Sequence, residues 1–385
     1  MNTQKVYRAI GLMSGTSLDG EVDVALIETD GRDLVRPLGF YAHLYDPSVQ
    51  DQVRACFGAR EPSAQTREAE ALITQVHVDA VRESGFTGDV IGFHGQTITH
   101  DPGAGFTWQL GDGAALSRET GMEVINDFRS ADMRAGGQGA PLAPLYHRAR
   151  VRMHELGRPV AFLNIGGVAN VTFINSPDGE LRSKVPASAG TANSFGILAF
   201  DTGPGNALMD DYVRMKTGQA YDADGAMAAG GQARKELVEA WLGHEYFQKA
   251  PPKSLDRNEW SVLSDGVIAQ DLENLGAEDA LASLMEFTVR SIEKADALIG
   301  GGADWYACGG GRHNTALMRR LGEVLSSGIQ PVEALGWNGD AVEAECFAYL
   351  AVRSLLGLPI SLPEVTGVSA PQTGGVLHKK LRQAG

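Results

Sequence analysis

The stretch I-G-L-M-S-G-T-S-L-D-G, Ile10 to Gly20, lies between two apolar runs, V-Y-R-A-I before it and V-D-V-A-L-I after it. A glycine turn that fed a helix would be followed by a 3.6-residue period. Here Val22, Val24 and Leu26 alternate with Asp23, Ala25 and Ile27, so the turn joins two strands. A turn this rich in Gly, Ser and Thr can aim several backbone N–H groups at one anion, while the single carboxylate at its end, Asp19, faces the counter-cation. The predicted element is a phosphate-gripping hairpin. Alone, it would read as an ordinary β-turn, but a second one follows. P-V-A-F-L-N-I-G-G-V-A-N-V-T-F-I, Pro159 to Ile174, again sets a Gly-Gly turn, flanked by Asn164 and Asn170, between two strands. Roughly one domain length separates the two turns, so the chain reads as two similar halves that can clamp a phosphate chain, not as a short-period repeat.

Composition agrees with a soluble two-domain enzyme. At 385 residues the chain exceeds one core of ordinary size, and 43% hydrophobic residues can fill two. A net charge of −15 argues against nucleic acid or an anionic membrane as partner, since either needs a basic patch. The nearest basic cluster, Arg148 to Arg152, reads as a solvated helix face. Cys56, Cys308 and Cys346 are too far apart for a disulfide framework or a zinc knuckle, which points to a reducing compartment. No apolar run reaches membrane-spanning length, and the first residues enter a strand without a leader pattern, so the expected location is cytoplasmic.

Further along, helices are predicted from Thr66 to Glu83, stopped by Gly85, and over Leu281 to Ile299 and Ala341 to Leu356. Short strands are predicted at Asp89 to Gly95, delivering His94, Gln96 and Thr97 into a polar turn, and at Thr107 to Leu110 and Glu123 to Asn126. Asp127 to Leu142 and Pro359 to Gly375 lack periodicity and read as irregular loops. The segment Pro177 to Leu198, rich in Ser, Ala and Gly, reads as an insertion.

Three sites carry chemistry. In A-F-D-T-G-P-G-N, Asp201 follows apolar strand residues and precedes a Gly-Pro-Gly turn, which suits a general base or a magnesium-facing group. The ordinary alternative is a cap on the helix that starts near Ala207, and the base is preferred. In Y-A-C-G-G-G-R-H-N-T-A-L-M, a strand, three glycines and an N-cap at Asn314 leave bare backbone against which a nucleoside can lie. A ligand-free tight turn explains that segment equally well on its own. In A-V-E-A-E-C-F-A-Y-L-A, Glu343 shares its helix face with Phe347 and Leu350 and is expected to point into packed structure, whereas Glu345 is expected only to complement the helix dipole.

Together, G-L-M-S-G-T-S-L-D-G, H-G-Q-T-I-x-H, D-F-R-x-x-D-x-x-A-G-G-Q-G-A-P-L, L-N-I-G-G-x-x-N-V-T, F-D-T-G-P-G-N-x-L-M-D and C-G-G-G-x-x-N-T-A-L-M resemble, in order and over nearly the whole chain, the anhydro-N-acetylmuramic acid kinases of the acetate and sugar kinase/Hsp70/actin superfamily. The resemblance implies an α/β, two-domain actin-like ATPase with duplicated ribonuclease H-like cores and an active-site cleft between domains. The domains are expected at 1–148 and 149–385, with the C-terminal tail placed to pack back on the first. It also implies a reaction that takes ATP, water and 1,6-anhydro-N-acetylmuramic acid to N-acetylmuramic acid 6-phosphate and ADP in peptidoglycan recycling, with magnesium. Carried over by position, Ser14, Gly15, Thr16, Ser17 and Asp19 hold the ATP phosphates, with Asp19 at the metal. Gly166, Gly167, Asn170 and Gly203 form the second phosphate site, and Gly309, Gly310, Gly311 and Asn314 flank the nucleoside. Gln96, Thr97, Asp127, Arg129 and Glu343 fall on the sugar side, and Asp201 is the base. The partners implied are the two small molecules, with no nucleic acid or membrane, and a homodimer is compatible.

Two other readings compete. One is a kinase for another anhydrosugar such as levoglucosan; the other is a non-catalytic ATP-binding regulator, in which Gln96 and Arg129 would only pack. A serine acyl-enzyme pattern, Ser291 to Lys294 with Lys216 to Gly218 and Ser264 to Gly266, occurs in the wrong order along the chain and is ascribed to chance.

Overall fold

The computed structural model describes residues 5–15, 18, 20–156, 158–175, 196–255, 259–262 and 267–380. Its strands are β1 (Tyr7–Met13), β2 (Glu21–Thr29), β3 (Val35–Leu44), β4 (Val90–Phe93), β5 (Gln96–Asp101), β6 (Phe106–Leu110), β7 (Glu123–Asn126), β8 (Val160–Ile165), β9 (Val168–Ile174), β10 (Ile197–Pro204), β11 (Asp304–Cys308), β12 (Ile329–Pro331) and β13 (Val376–His378). The chain divides into two compact units, Met1–Glu155 with Ala341–Gly385, and Leu156–Asp340. The expected boundary after residue 148 would cut the helix Pro144–Met153, and the residues from Ala341 onward belong to the first unit.

The first unit is built on a sheet in the order β13-β7-β4-β1-β2-β3. β2 pairs antiparallel with both β1 and β3, whereas β1, β4 and β7 run parallel. The second unit repeats the plan, with order β10-β9-β8-β11-β12 and the same pairing senses. Each unit is thus a hairpin-led meander of three strands followed by two crossovers. This is the duplicated α/β core that the paired glycine turns foretold.

Strand alternation decides what each face meets. Ile10 and Leu12 of β1 join Val22 and Val24 of β2 in a core with Ile73, Ala80 and Val81 of the helix Ala64–Ser84. Gly11 faces the other way, and a Cβ there would strike the carbonyl oxygen of Ala344, so the helix Val342–Leu355 lies directly on the backbone of β1. Gly92 of β4 does the same against Phe347. In the second unit, the helix Ala277–Leu298 buries Leu281, Leu284, Phe287 and Ile292 with Val171, Phe173 and Phe200 of β9 and β10.

Several local expectations are corrected. β1 runs on to Met13, three residues past the Ile10 at which the expected strand ended. Asp127 to Leu142 contains a short helix, Ser130–Arg134, and Pro359 to Gly375 contains another, Pro363–Thr366, with a bridge between Ser361 and Gln372. The Arg148 to Arg152 cluster is not simply a solvated face. Arg150 is 3% exposed and pairs with Glu345 at 2.6 Å, joining two helices of the first unit. The insertion expected at Pro177 to Leu198 lies almost wholly outside the described residues, and its last two residues already belong to β10.

Candidate active site

In the first unit, β1 and β4 end side by side because they pair in parallel, and this brings the first glycine turn to the residues that follow β4. Gly95 takes a left-handed φ of 74° and turns the chain into β5, so Gln96 and Thr97 open a strand and do not sit in a polar turn. Gln96 is fully buried, and its Nε2 donates to the Gly15 carbonyl at 3.2 Å. Its Oε1, and the hydroxyl of buried Ser14, have no hydrogen-bond partner among the described residues. Buried polar atoms left unmatched are costly, and a polar ligand in this turn would satisfy both. Thr16, Ser17 and Asp19 lie outside the described residues.

Arg129 is held at two points. Its Nε donates to His94 Nε2 at 3.0 Å, and its Nη1 donates to the Gly139 carbonyl at 2.6 Å. His94 Nδ1 lies 2.7 Å from the Gly95 carbonyl, which can only accept, so Nδ1 carries the proton and Nε2 is free to receive Arg129. Burial, then the Arg129 charge, hold His94 well below the ordinary histidine range and keep it neutral. Beside it lies a cavity of about 210 Å³ lined by His94, Gly95, Trp108, Gln109, Asn126 and Asp127, among others. Asp127 has a left-handed φ of 52°, uncommon for a residue with a side chain, and its Oδ1 caps the Ser130 N–H at 3.2 Å. Of the expected sugar-side residues, Asp127 lines this cavity; Thr97 instead accepts from Gln109, itself a lining residue, at 3.2 Å.

The two glutamates exchange their expected places. Glu343 is exposed, although it lies near enough to Arg129 and Cys346 to influence both. Glu345 is buried, with Arg150 and the Tyr146 hydroxyl on its carboxylate. The helix Val342–Leu355 is buried from Ala344 to Arg353, so its period does not distinguish an inner from an outer face.

In the second unit, three glycine turns converge. The Gly166 and Gly167 carbonyls accept from the Asn206 and Gly205 N–H groups at 2.8 and 2.9 Å, which joins the β8–β9 turn to the end of β10. A Cβ on Gly309 would meet the Ile165 carbonyl oxygen at 2.9 Å, and one on Gly311 would run into the Ile165 side chain. A Cβ on Gly203 would come within 2.7 Å of Ser291. These glycines are spaces for neighbouring backbone and helix, which no other residue would leave open. Asn170 stands opposite Asp201 across β9 and β10, and Asn314 caps the helix Thr315–Val324 by accepting from Leu317 N–H at 2.9 Å.

Asp201 lies inside β10, at a register shift between Asp201 and Gly203, and does not cap the next helix, whose N-cap is Asn206. Its surroundings come from a segment that the sequence did not single out. Its N–H donates to the Lys253 carbonyl at 2.9 Å, its carbonyl accepts from the Tyr246 hydroxyl at 2.5 Å, and its Oδ2 accepts from Leu255 N–H at 2.7 Å. Desolvation pushes its carboxyl from 3.8 up to about 7, against the Leu255 hydrogen bond and the Lys253 charge. A carboxylate poised near neutrality and anchored through one oxygen is equipped to take a proton with the other. Only the run A-P-P-K, carrying a lysine after two prolines, could have drawn attention to this segment, and it has no periodicity.

Among the described residues no cluster of three or more His, Cys, Asp or Glu could hold a metal ion, and no helix is long and apolar enough to cross a membrane. The family model for anhydro-N-acetylmuramic acid kinase matches residues 7–380. An anhydro-N-acetylmuramic acid kinase from Rhizorhabdus wittichii is 47% identical, over 96% of this chain and 98% of that protein. Others, from Paramagnetospirillum magneticum and Rhodospirillum rubrum, are 46% and 44% identical over 96% and 95% of this chain and 99% and 93% of theirs. With both glycine hairpins, the His94–Arg129 pair and Asp201 in one matched span, the chain belongs to the anhydro-N-acetylmuramic acid kinase family.

Proposed function

We propose that this chain is an ATP-dependent kinase that opens 1,6-anhydro-N-acetylmuramic acid with water and phosphorylates the freed 6-oxygen, giving N-acetylmuramic acid 6-phosphate and ADP for cell-wall recycling in the cytoplasm. The observation that carries the reading is the setting of Asp201, a carboxylate that burial pushes up to about 7 and Leu255 N–H pins through one oxygen, inside a full-length family match. Asp201 takes a proton from water as that water's oxygen bonds to the anomeric carbon. The bond from that carbon to the bridging oxygen breaks, and the released 6-oxygen attacks the γ-phosphorus as ADP leaves. The proton on Asp201 then passes to solvent. A base of this kind contributes about 10²- to 10⁴-fold, and the remainder comes from positioning and charge.

Gln96 and Ser14 have buried polar atoms unmatched among the described residues beside the first turn, in keeping with a polar substrate there. Arg129 and Asp127 would orient the sugar beside the cavity, with Thr97 and Glu343 as further sugar-side residues. Gly166, Gly167, Asn170 and Gly203 would meet phosphate, and Gly309 to Gly311 with Asn314 the nucleoside. Magnesium bound with nucleotide usually needs one or two carboxylates plus phosphate oxygens, so the single Asp19 fits it without a dense acidic cluster, and the ion would offset phosphate charge.

The test is incubation with ATP and a panel of anhydrosugars in isotopically labelled water, followed by mass analysis. The expected product carries label on the anomeric hydroxyl and none in the phosphate. A product that keeps its anhydro ring would mean phosphorylation of a free hydroxyl, label in the phosphate would mean that water attacks phosphorus instead of the anomeric carbon, and turnover of levoglucosan alone would reassign the substrate.

A further inference from the structure

Between Tyr246 and Leu255 the chain forms a loop whose groups meet all the backbone and one side-chain oxygen of Asp201. What closes that loop on itself is one ammonium group. Lys253 is 7% exposed, its Nζ donates to the Tyr246 carbonyl at 3.1 Å, and the same Nζ lies 4.5 Å from the centre of the Tyr246 ring. Tyr246 in turn is held edge-on by Phe247 and Trp260, whose rings stack at 5.5 Å. Among the described residues, the hydrogen bond of this buried lysine is to a carbonyl and its second contact is to an aromatic face, where a buried lysine more often meets a carboxylate.

We infer that Lys253 is the positioning residue of Asp201: its ammonium ties Tyr246 to the 253–255 backbone, and this keeps the Leu255 N–H on Oδ2 and leaves Oδ1 to meet the water. The inference rests on Asp201 being the base. Two features of the geometry support it. Lys253 contributes the carbonyl that accepts from the Asp201 N–H, and Leu255, two residues on, donates the N–H that reaches Oδ2, so a shift of Lys253 moves both anchors together. Tyr246 likewise contributes both the carbonyl that holds Lys253 and the hydroxyl that holds the Asp201 carbonyl. Among the described residues, the other charged groups facing the cluster are Lys249, at the end of the short helix Glu245–Gln248, Lys294 on the helix Ala277–Leu298, and Glu259, which stands 3.6 Å from His244. Burial, then the like charges of Lys249 and Lys294, pull the Lys253 ammonium down to about 8.

The test compares Lys253→Met, Lys253→Gln and Asp201→Asn, alone and combined, in the full-length enzyme, reading kcat against pH, KM for ATP and folded content by circular dichroism. Removing the charge should lower kcat on the order of 10²-fold, as a displaced reacting group does, with KM for ATP within about twofold. The acid limb of the kcat profile should move up by about one pH unit, because a nearby cation and the Leu255 hydrogen bond both favour the ionised carboxylate. Lys253→Gln, which keeps a donor for the Tyr246 carbonyl, should fold and show the same displaced limb with a smaller loss of kcat; it decides the question if the Met variant does not fold. In the Asp201→Asn background, removing Lys253 should cost nothing more. An inactive Asp201→Asn beside Lys253 variants with the parental acid limb would overturn the positioning role and leave the base in place. An active Asp201→Asn would remove the base and the inference with it.

Discussion

Asp201→Asn should make this protein more stable and inactive at the same time. The Asp201 carboxyl is raised from 3.8 to about 7, with desolvation as the main cause. A carboxyl raised on folding binds its proton more tightly folded than unfolded. Its contribution to stability is therefore complete below 3.8 and is lost as pH climbs through the window up to about 7. The gap is about three pH units at about 1.4 kcal/mol each; partial exposure screens some of it, so ionised Asp201 costs the fold about 2–4 kcal/mol at pH 8. An asparagine keeps an oxygen for Leu255 N–H and never ionises. The variant should exceed the parent by about 2–4 kcal/mol at pH 8 and by less than half of that at pH 5. Urea denaturation followed by tryptophan fluorescence reads this well, because Trp241, Trp260, Trp305 and Trp337 all lie in the second unit with Asp201. Turnover, measured as ADP release, should fall by about 10²-fold or more with ATP affinity nearly intact. An equal difference in stability at pH 5 and pH 8 would refute the desolvation argument, and near-parental turnover would refute the catalytic one.

Arg150→Met should destabilise the first unit by about 3–5 kcal/mol, because it strands Glu345 at 4% side-chain exposure, and urea midpoints will show whether that buried charge is so costly. Gly11→Ala should cost about 1–3 kcal/mol by forcing β1 from the helix Val342–Leu355, measured by thermal unfolding; an unchanged melting temperature would mean that the contact is loose. Gln96→Leu removes a buried carbonyl with no partner among the described residues, and should raise KM for the sugar about tenfold to a hundredfold while KM for ATP holds; steady-state kinetics with each substrate varied will separate the two.

What the residues in order determine here is local. A period of two that breaks at a cluster of Gly, Ser and Asn can only be a strand that turns, and two such breaks, at 14–20 and at Gly166–Gly167, already describe a duplicated core. Asn314 and Gly85 announce a helix start and a helix stop, because capping depends on groups within a few residues, and the structure places both where the pattern puts them. The convergence of the glycine turns and the environment of Asp201 are of another kind. The Leu255 N–H lies 54 residues from the carboxylate that it pins, and no spacing rule links them. Glu343 and Glu345 show the same limit, since a helical period names an inner face only when one face is buried, and the helix Val342–Leu355 is enclosed on most sides. Burial, and with it charge state, is set by everything that packs around a group, and that sum of long-range contacts exists only once the chain has folded.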